Sequence, residues 1–352
     1  MNSDAAQNHP EKTPGSSNDA TNGGGGAHRD PPVRAGARSV VHTGELFQTQ
    51  PLLADVVMHY YPPRRRIWTA LLLPALAMGC TIVVAFVSII VFAPINGMPS
   101  ALDNAGRASQ WVTEFAATRT GVVLLLLPAQ LVLLVAVMIG AFFSEESFSR
   151  RLGLVPGTLP VWTWLLFMVS TPIVGIFTSM LLSMMVEKPT PVIALLETIF
   201  RQHNDWFFLV VLGLTSVVPG IVEELMFRGY LQKRLTERFP SQLGGLVAIG
   251  VSTTFFALVH LDSVHSLGVI PLGLWLGFVA WRCRSTWPAI LCHMTNNVVA
   301  VMESRYAQND DFTVTLDGVT ITVMIISSIA FIASLTILFN DRLDRPRRML
   351  AG

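Results

Sequence analysis

The sequence predicts an all-α fold, a polytopic membrane helical bundle with about eight transmembrane helices. Three observations lead there. Apolar residues make up 51% of the 352-residue chain and charged residues only 13%, with a mean hydropathy of +0.53; a soluble domain carries about 25% charged residues. Several apolar runs reach the roughly 20 residues a helix needs to cross a bilayer. Lysine and arginine collect in alternate connections between those runs, as they do on the cytoplasmic side of membrane proteins.

Residues 1–62 read as a disordered polar tail. Its beginning is rich in Gly, Pro, Asn, Asp and Ser, including Gly23 to Gly26, and cannot bury enough apolar surface to fold alone. Further along, Leu52, Leu53, Val56, Val57 and Tyr60 recur at helical spacing, which suits a short amphipathic helix on the membrane surface. Residues 63–345 form the membrane domain and 346–352 a basic cytoplasmic tail. The expected spans are 67–92, 121–143, 161–186, 206–230, 243–261, 267–281, 287–302 and 319–339. The first three and the last are clear apolar runs, and the middle four are shorter or interrupted by polar residues.

One side of this map receives Arg64, Arg65, Arg66, Arg150, Arg151, Lys233, Arg234, Arg238, Arg282, Arg284, Arg342, Arg345, Arg347 and Arg348. The other receives only Arg107, Arg119, Lys188, Arg201 and Arg305, with Asp310, Asp311 and Asp317 after the seventh span. Both termini are therefore expected in the cytoplasm. Trp68, Trp162, Trp164, Trp206, Trp281 and Trp287 fall near span ends and form an interfacial belt. The formal net charge is +1, and no basic stripe with interleaved aromatics suggests a nucleic-acid partner. Cys80, Cys283 and Cys292 match no zinc spacing and read as small apolar side chains.

Ionisable residues inside spans are expensive and mark function by default. Here they cluster in the weaker spans. The fourth holds Glu223, Glu224 and Arg228, the fifth ends in Phe256 and His260, and the seventh holds His293 and Asn297. Glu224 and Arg228 are four apart, share a helix face and can pair, a structural role. Glu223 points about 100° away and is free to act. His293 and Asn297, again four apart, can aim at one point, and Phe256 can wall the side of His260. Counted from Pro240 at 1.5 Å per residue, Glu223 and His260 lie roughly 25 and 30 Å along antiparallel helices, within about one turn of each other. Pro219 and Gly220, just before Glu223, are expected to kink the helix and widen a cavity.

A carboxylate, two imidazoles and a carboxamide around a polar cavity suit hydrolysis of an amide by water. Glu223 would take the water proton and His260 would help hold the water. His293 and Asn297 would donate to the developing oxyanion. His265 reads as a loop residue, Asn296 as a partner for a neighbouring helix, and Met180, Met184 and Met185 as packing.

At these positions the chain resembles the CPBP family, which groups type II CAAX prenyl endopeptidases with bacteriocin-processing and abortive-infection relatives. Glu223, Glu224 and Arg228 match its Glu-Glu-x-x-x-Arg motif, Phe256 and His260 its Phe-x-x-x-His motif, and His293 and Asn297 its His-x-x-x-Asn motif. Each motif alone is weak, but three in order on hydrophobic segments are specific. The resemblance spans roughly residues 206–301. It implies a glutamate-dependent intramembrane protease with no obligatory cofactor, in which the first Glu and the Phe-motif His activate water and the last motif forms the oxyanion hole. The substrate would be a peptide or membrane protein, lipidated or not, and the setting the inner membrane of a bacterium.

Three other readings stay open. Glu223, His260 and His293 could give three ligands to zinc, although no His-Glu-x-x-His string is present and the ligands sit on separate helices. A non-catalytic scaffold or immunity protein could keep a protease fold. A transporter also places charges at the midplane, but gives the His293–Asn297 pairing no role.

Overall fold

The structure is a computed structural model that describes residues 67–95, 105–186, 188–306, 314 and 316–340. All lie in one compact unit, Pro63–Gly352. The polar tail, its amphipathic segment and the terminal arginines are outside the described residues. Among those described, every regular element is a helix.

We number the main helices α1 (Ile67–Ile95), α2 (Ala105–Ala117), α3 (Arg119–Phe142), α4 (Trp162–Met185), α5 (Pro191–Gln202), α6 (Phe207–Arg238), α7 (Gln242–Leu258), α8 (Ser263–Cys283), α9 (Trp287–Tyr306) and α10 (Gly318–Leu338). Six of these, α1, α3, α4, α6, α8 and α10, are long and apolar enough to cross a membrane. The eight expected spans are all helical, but two do not meet that standard. α7 has 17 residues, or about 25 Å at 1.5 Å each. α9 has 20 residues but carries His293, Asn296, Asn297 and Glu303. The polar groups that make it interesting are the ones that lower its hydropathy. The sequence reading did not anticipate α2 and α5, which lie in connections.

Large apolar side chains such as Phe177, Ile329 and Ile332 are about two-thirds exposed. Such exposure is costly in water and ordinary in lipid. With six apolar helices this marks an integral membrane protein. Met184 and Met185 belong to the same outward face.

Local chemistry sets the ends and breaks. Thr118, Ser241, Asp262 and Asp317 cap α3, α7, α8 and α10, each accepting from a backbone N–H three residues on. α4 is interrupted at Thr171 because Pro172 has no N–H for the Met168 carbonyl. The Thr171 N–H is shared between Phe167 O and Met168 O at 3.1 and 3.3 Å. The Thr171 hydroxyl accepts from Trp275 Nε1 at 3.0 Å, which fixes α4 to α8.

The charges segregate to two ends. At one, buried Arg151 pairs with Glu237 at 3.1 Å and lies 3.8 Å from Glu146, while Lys233 meets Glu146 and Glu237. Arg282 at the end of α8 donates to Leu338 O at the end of α10. At the opposite end, Arg305 donates to Phe200 O, His203 O and Asn204 Oδ1, and Arg119 pairs with Asp205. This two-sided separation matches the grouping read from the sequence.

Helix α6 runs through the middle, against α3, α7 and α9. It is α-helical except for two π-helical stretches, Gly213–Val217 and Leu225–Gln232, on either side of Val218–Glu224. Gly220 lets α9 come close, since a Cβ there would lie 2.5 Å from Met294 Cγ and 3.1 Å from the Met294 amide. We therefore expect Gly220→Val to cost about 1–3 kcal/mol and to lower the thermal midpoint in detergent. Gly250→Ala, which meets nothing within 4 Å, should leave the midpoint unchanged or raise it.

Candidate active site

The site is built on the segment of α6 that holds consecutive glutamates. Glu223 is 5% exposed, and Glu224 and Arg228 pair with no exposed side-chain surface. The two acids face different neighbours, as their 100° separation requires. Glu224 Oε1 accepts from Arg228 Nη1 at 2.7 Å and from His293 Nδ1 at 2.9 Å. Arg228 also donates through Nη2 to Gly273 O on α8 at 3.1 Å and lies over the Phe256 ring, 4.4 Å from its centroid. Gly273 has to be small: a Cβ there would come within 2.8 Å of Thr253 Cγ2 and 3.1 Å of Phe256 Cδ1.

Phe256, fully buried, is the wall around which the imidazoles stand. Its ring centroid is 5.3 Å from that of His260 and 5.5 Å from that of His293, both nearly edge-on. His260 Nδ1 lies 2.9 Å from Phe256 O. A carbonyl only accepts, so Nδ1 carries the proton and Nε2 of the neutral ring keeps its lone pair. By the same reasoning His293 Nδ1 carries a proton toward Glu224. Glu223 is within electrostatic reach of His293, Glu224 and Arg228.

Asn297 comes from the same face of α9 as His293 and also turns toward α6. Its Nδ2 donates to Thr215 O at 3.1 Å. The reason is local. Pro219 has no N–H to return to the carbonyl four residues earlier, and the π-helical turn sends the Val218 N–H to Gly213 O. The side chain of α9 supplies the donor that α6 lacks. A π-helical stretch, Gly213–Val217, ends just before Pro219, and Val218–Glu224 is regular α-helix. Asn296 packs on Gly175 of α4, whose Cβ would meet Asn296 Oδ1 at 2.5 Å.

Two site neighbours escaped the sequence reading. His265 is not a loop residue: it sits in the first turn of α8, with its ring 4.5 Å from that of His260 and within electrostatic reach of Glu223. The turn that places it passes through Leu261 at φ 57° and the capping Asp262. Desolvation opposes ionisation of Asp262, but the His265 and Val264 amides and the Thr190 hydroxyl outweigh it and hold the carboxyl below the usual Asp range. Gln130 of α3 is the second: its Nε2 donates to Glu223 Oε1 at 2.9 Å. Its signal was available, as the single polar side chain in the run 121–143. A neutral amide carries no charge to mark it in the sequence. Among the described residues, no three His, Cys, Asp or Glu side chains are grouped to hold a metal ion.

A helical membrane protein with carboxylates and imidazoles gathered around a buried aromatic ring is the class this fold and site define. The comparison with protein families makes it more specific. The model of the family described as Type II CAAX prenyl endopeptidase Rce1-like matches residues 205–299. That segment resembles the Rce1-like family, and it contains the whole motif set from Glu223 to Asn297. It supports the reading of a membrane protease of the CAAX-endopeptidase kind acting on a peptide substrate. No curated protein and no solved structure matches the chain.

The Glu224–Arg228 pair carries a direct test. Arg228→Met leaves Glu224 with His293 as its remaining hydrogen-bond partner among the described residues, and breaking a buried pair from one side costs about 3–5 kcal/mol. The variant should lose its cooperative melting transition in detergent. A midpoint within a few degrees of wild type would contradict the buried pairing.

Proposed function

We propose that this protein is an intramembrane endopeptidase that hydrolyses a peptide bond with water activated by Glu223 and His260. The observation that carries the reading is a buried Glu223, held at one oxygen and unpartnered at the other, within electrostatic reach of His293, whose ring shares the Phe256 wall with that of His260.

Water bound between Glu223 Oε2 and His260 Nε2 offers each acceptor one hydrogen. Its oxygen attacks the carbonyl carbon as Glu223 takes one proton, and the carbonyl electrons move onto oxygen. Asn297 has a second amide hydrogen beyond the one bound to Thr215 O, and His293 can donate through Nε2 when the ring is doubly protonated. These two face the oxyanion. When the intermediate collapses, the C–N bond breaks and Glu223 returns its proton to the leaving amine. No step needs a metal or an organic cofactor.

The substrate is a peptide or membrane protein that reaches the site within the bilayer. The family match favours a lipidated carboxyl-terminal peptide. The end of the bundle bearing Arg151, Lys233 and Arg282 faces the cytoplasm, by the positive-inside rule, with both termini on that side, in a bacterial inner membrane.

Cleavage of fluorogenic peptides, prenylated and unmodified, by detergent-solubilised protein tests this function. Glu223→Ala and His260→Ala should abolish turnover, with losses of at least about 10²–10⁴-fold, while Phe256→Leu should only weaken it. His293→Ala should lower kcat by about 10²–10³-fold. Strong chelators should leave the wild-type rate unchanged, and their inhibition would instead favour the zinc reading. Equal rates for wild type and Glu223→Ala would refute the assignment and favour a non-catalytic protein.

A further inference from the structure

We infer that Gln130 is a positioning residue for Glu223, supplied by a helix outside the Rce1-like segment; this rests on the endopeptidase reading above. The family match covers residues 205–299, whereas Gln130 lies on α3. Its amide nitrogen donates to Glu223 Oε1 at 2.9 Å. The amide has one possible orientation in this contact. A carboxylate only accepts, so nitrogen must face it and Oε1 must turn away. Gln130 Oε1, like Glu223 Oε2, is then a buried acceptor with no partner among the described residues.

The consequence for Glu223 is asymmetry. One oxygen is occupied by a neutral donor that brings no charge, so the carboxylate stays acceptor-only. The other oxygen is left as the one to which water can give a proton. A glutamate side chain has three rotatable bonds, and its carboxyl group swings freely unless something holds it. Glu224 shows the alternative on the neighbouring residue: its Oε1 accepts from an arginine and an imidazole together. A charged partner of that kind would neutralise a base, whereas a carboxamide orients it. The position of the donor is well supported. Pro128, two residues earlier, removes an N–H inside α3, and α3 packs on α6 around the buried Val137, Met226 and Tyr230.

The inference is tested by kinetics on the intact protein with the same peptide reporter. Gln130→Met keeps the length and removes the donor. Gln130→Glu keeps the shape and replaces the donor by a second carboxyl group. A hydrogen bond to a charged group is worth about one to two orders of magnitude. Gln130→Met should therefore lower kcat by about 10- to 100-fold, with KM within about twofold and an unchanged thermal midpoint. Gln130→Glu should be at least as impaired near neutral pH, despite its near-identical size; a packing role would rank it close to wild type instead. Full activity of Gln130→Met alongside an inactive Glu223→Gln overturns this assignment alone. So does a loss confined to KM or accompanied by a collapsed midpoint. Full activity of Glu223→Gln overturns the endopeptidase reading and the role of Gln130 together.

Discussion

Glu224 and Arg228 face each other across one helical turn with no exposed side-chain surface, and the rest of the site is arranged around that constraint. Two opposite charges in a low-dielectric interior hold each other strongly, but each also loses its hydration and must find further partners. Those partners come from other helices. His293 of α9 completes Glu224, and the Gly273 carbonyl of α8 together with the face of Phe256 from α7 completes Arg228. One intrahelical pair thereby draws three further helices to the same face of α6. The group that does this is the acid assigned no chemistry, and its neighbour Glu223 has, among the described residues, a neutral donor in Gln130.

Convergence of this kind needs helices that approach closely and backbones that depart from regularity. Gly220 and Gly273 remove the side chains that would hold α9 and α8 away. Pro219 and the π-helical turn before it free the Thr215 carbonyl, and Asn297 takes it up. In lipid, an unclaimed backbone carbonyl is costly, so the break in α6 and the amide of α9 stabilise each other. This gives Asn297 a structural duty alongside the one proposed for it at the oxyanion. The polar α9 is packed among α4, α6 and α8, whereas the short α7 lies on α6 and α8 and keeps an apolar outer face at Leu243, Leu246 and Val247.

Much of the bundle was legible in the sequence because bilayer thickness and positive-inside charge are one-dimensional constraints. Six long apolar helices and the two-ended separation of Arg151, Lys233 and Arg282 from Arg119 and Arg305 follow from them. The Glu224–Arg228 pair was legible for the same reason, since it depends only on the helical repeat. Asp262 and Leu261 were not read as the turn into α8, so His265 was misplaced in a loop. Gln130 was missed for a different reason: nothing in a single sequence links residue 130 to residue 223.

The order of residues by itself determined the long apolar helices and which polar side chains share a helix face, because spacing along one helix is fixed by 3.6 residues per turn. Only the tertiary structure decided which face meets which. That His293 binds Glu224 rather than Glu223, that Asn297 replaces the donor missing at Pro219, and that α3 contributes a partner to Glu223 all depend on distances between separate helices. Those distances are set by side-chain volume at contacts such as Gly220–Met294 and Gly273–Phe256, where whole helices settle against one another.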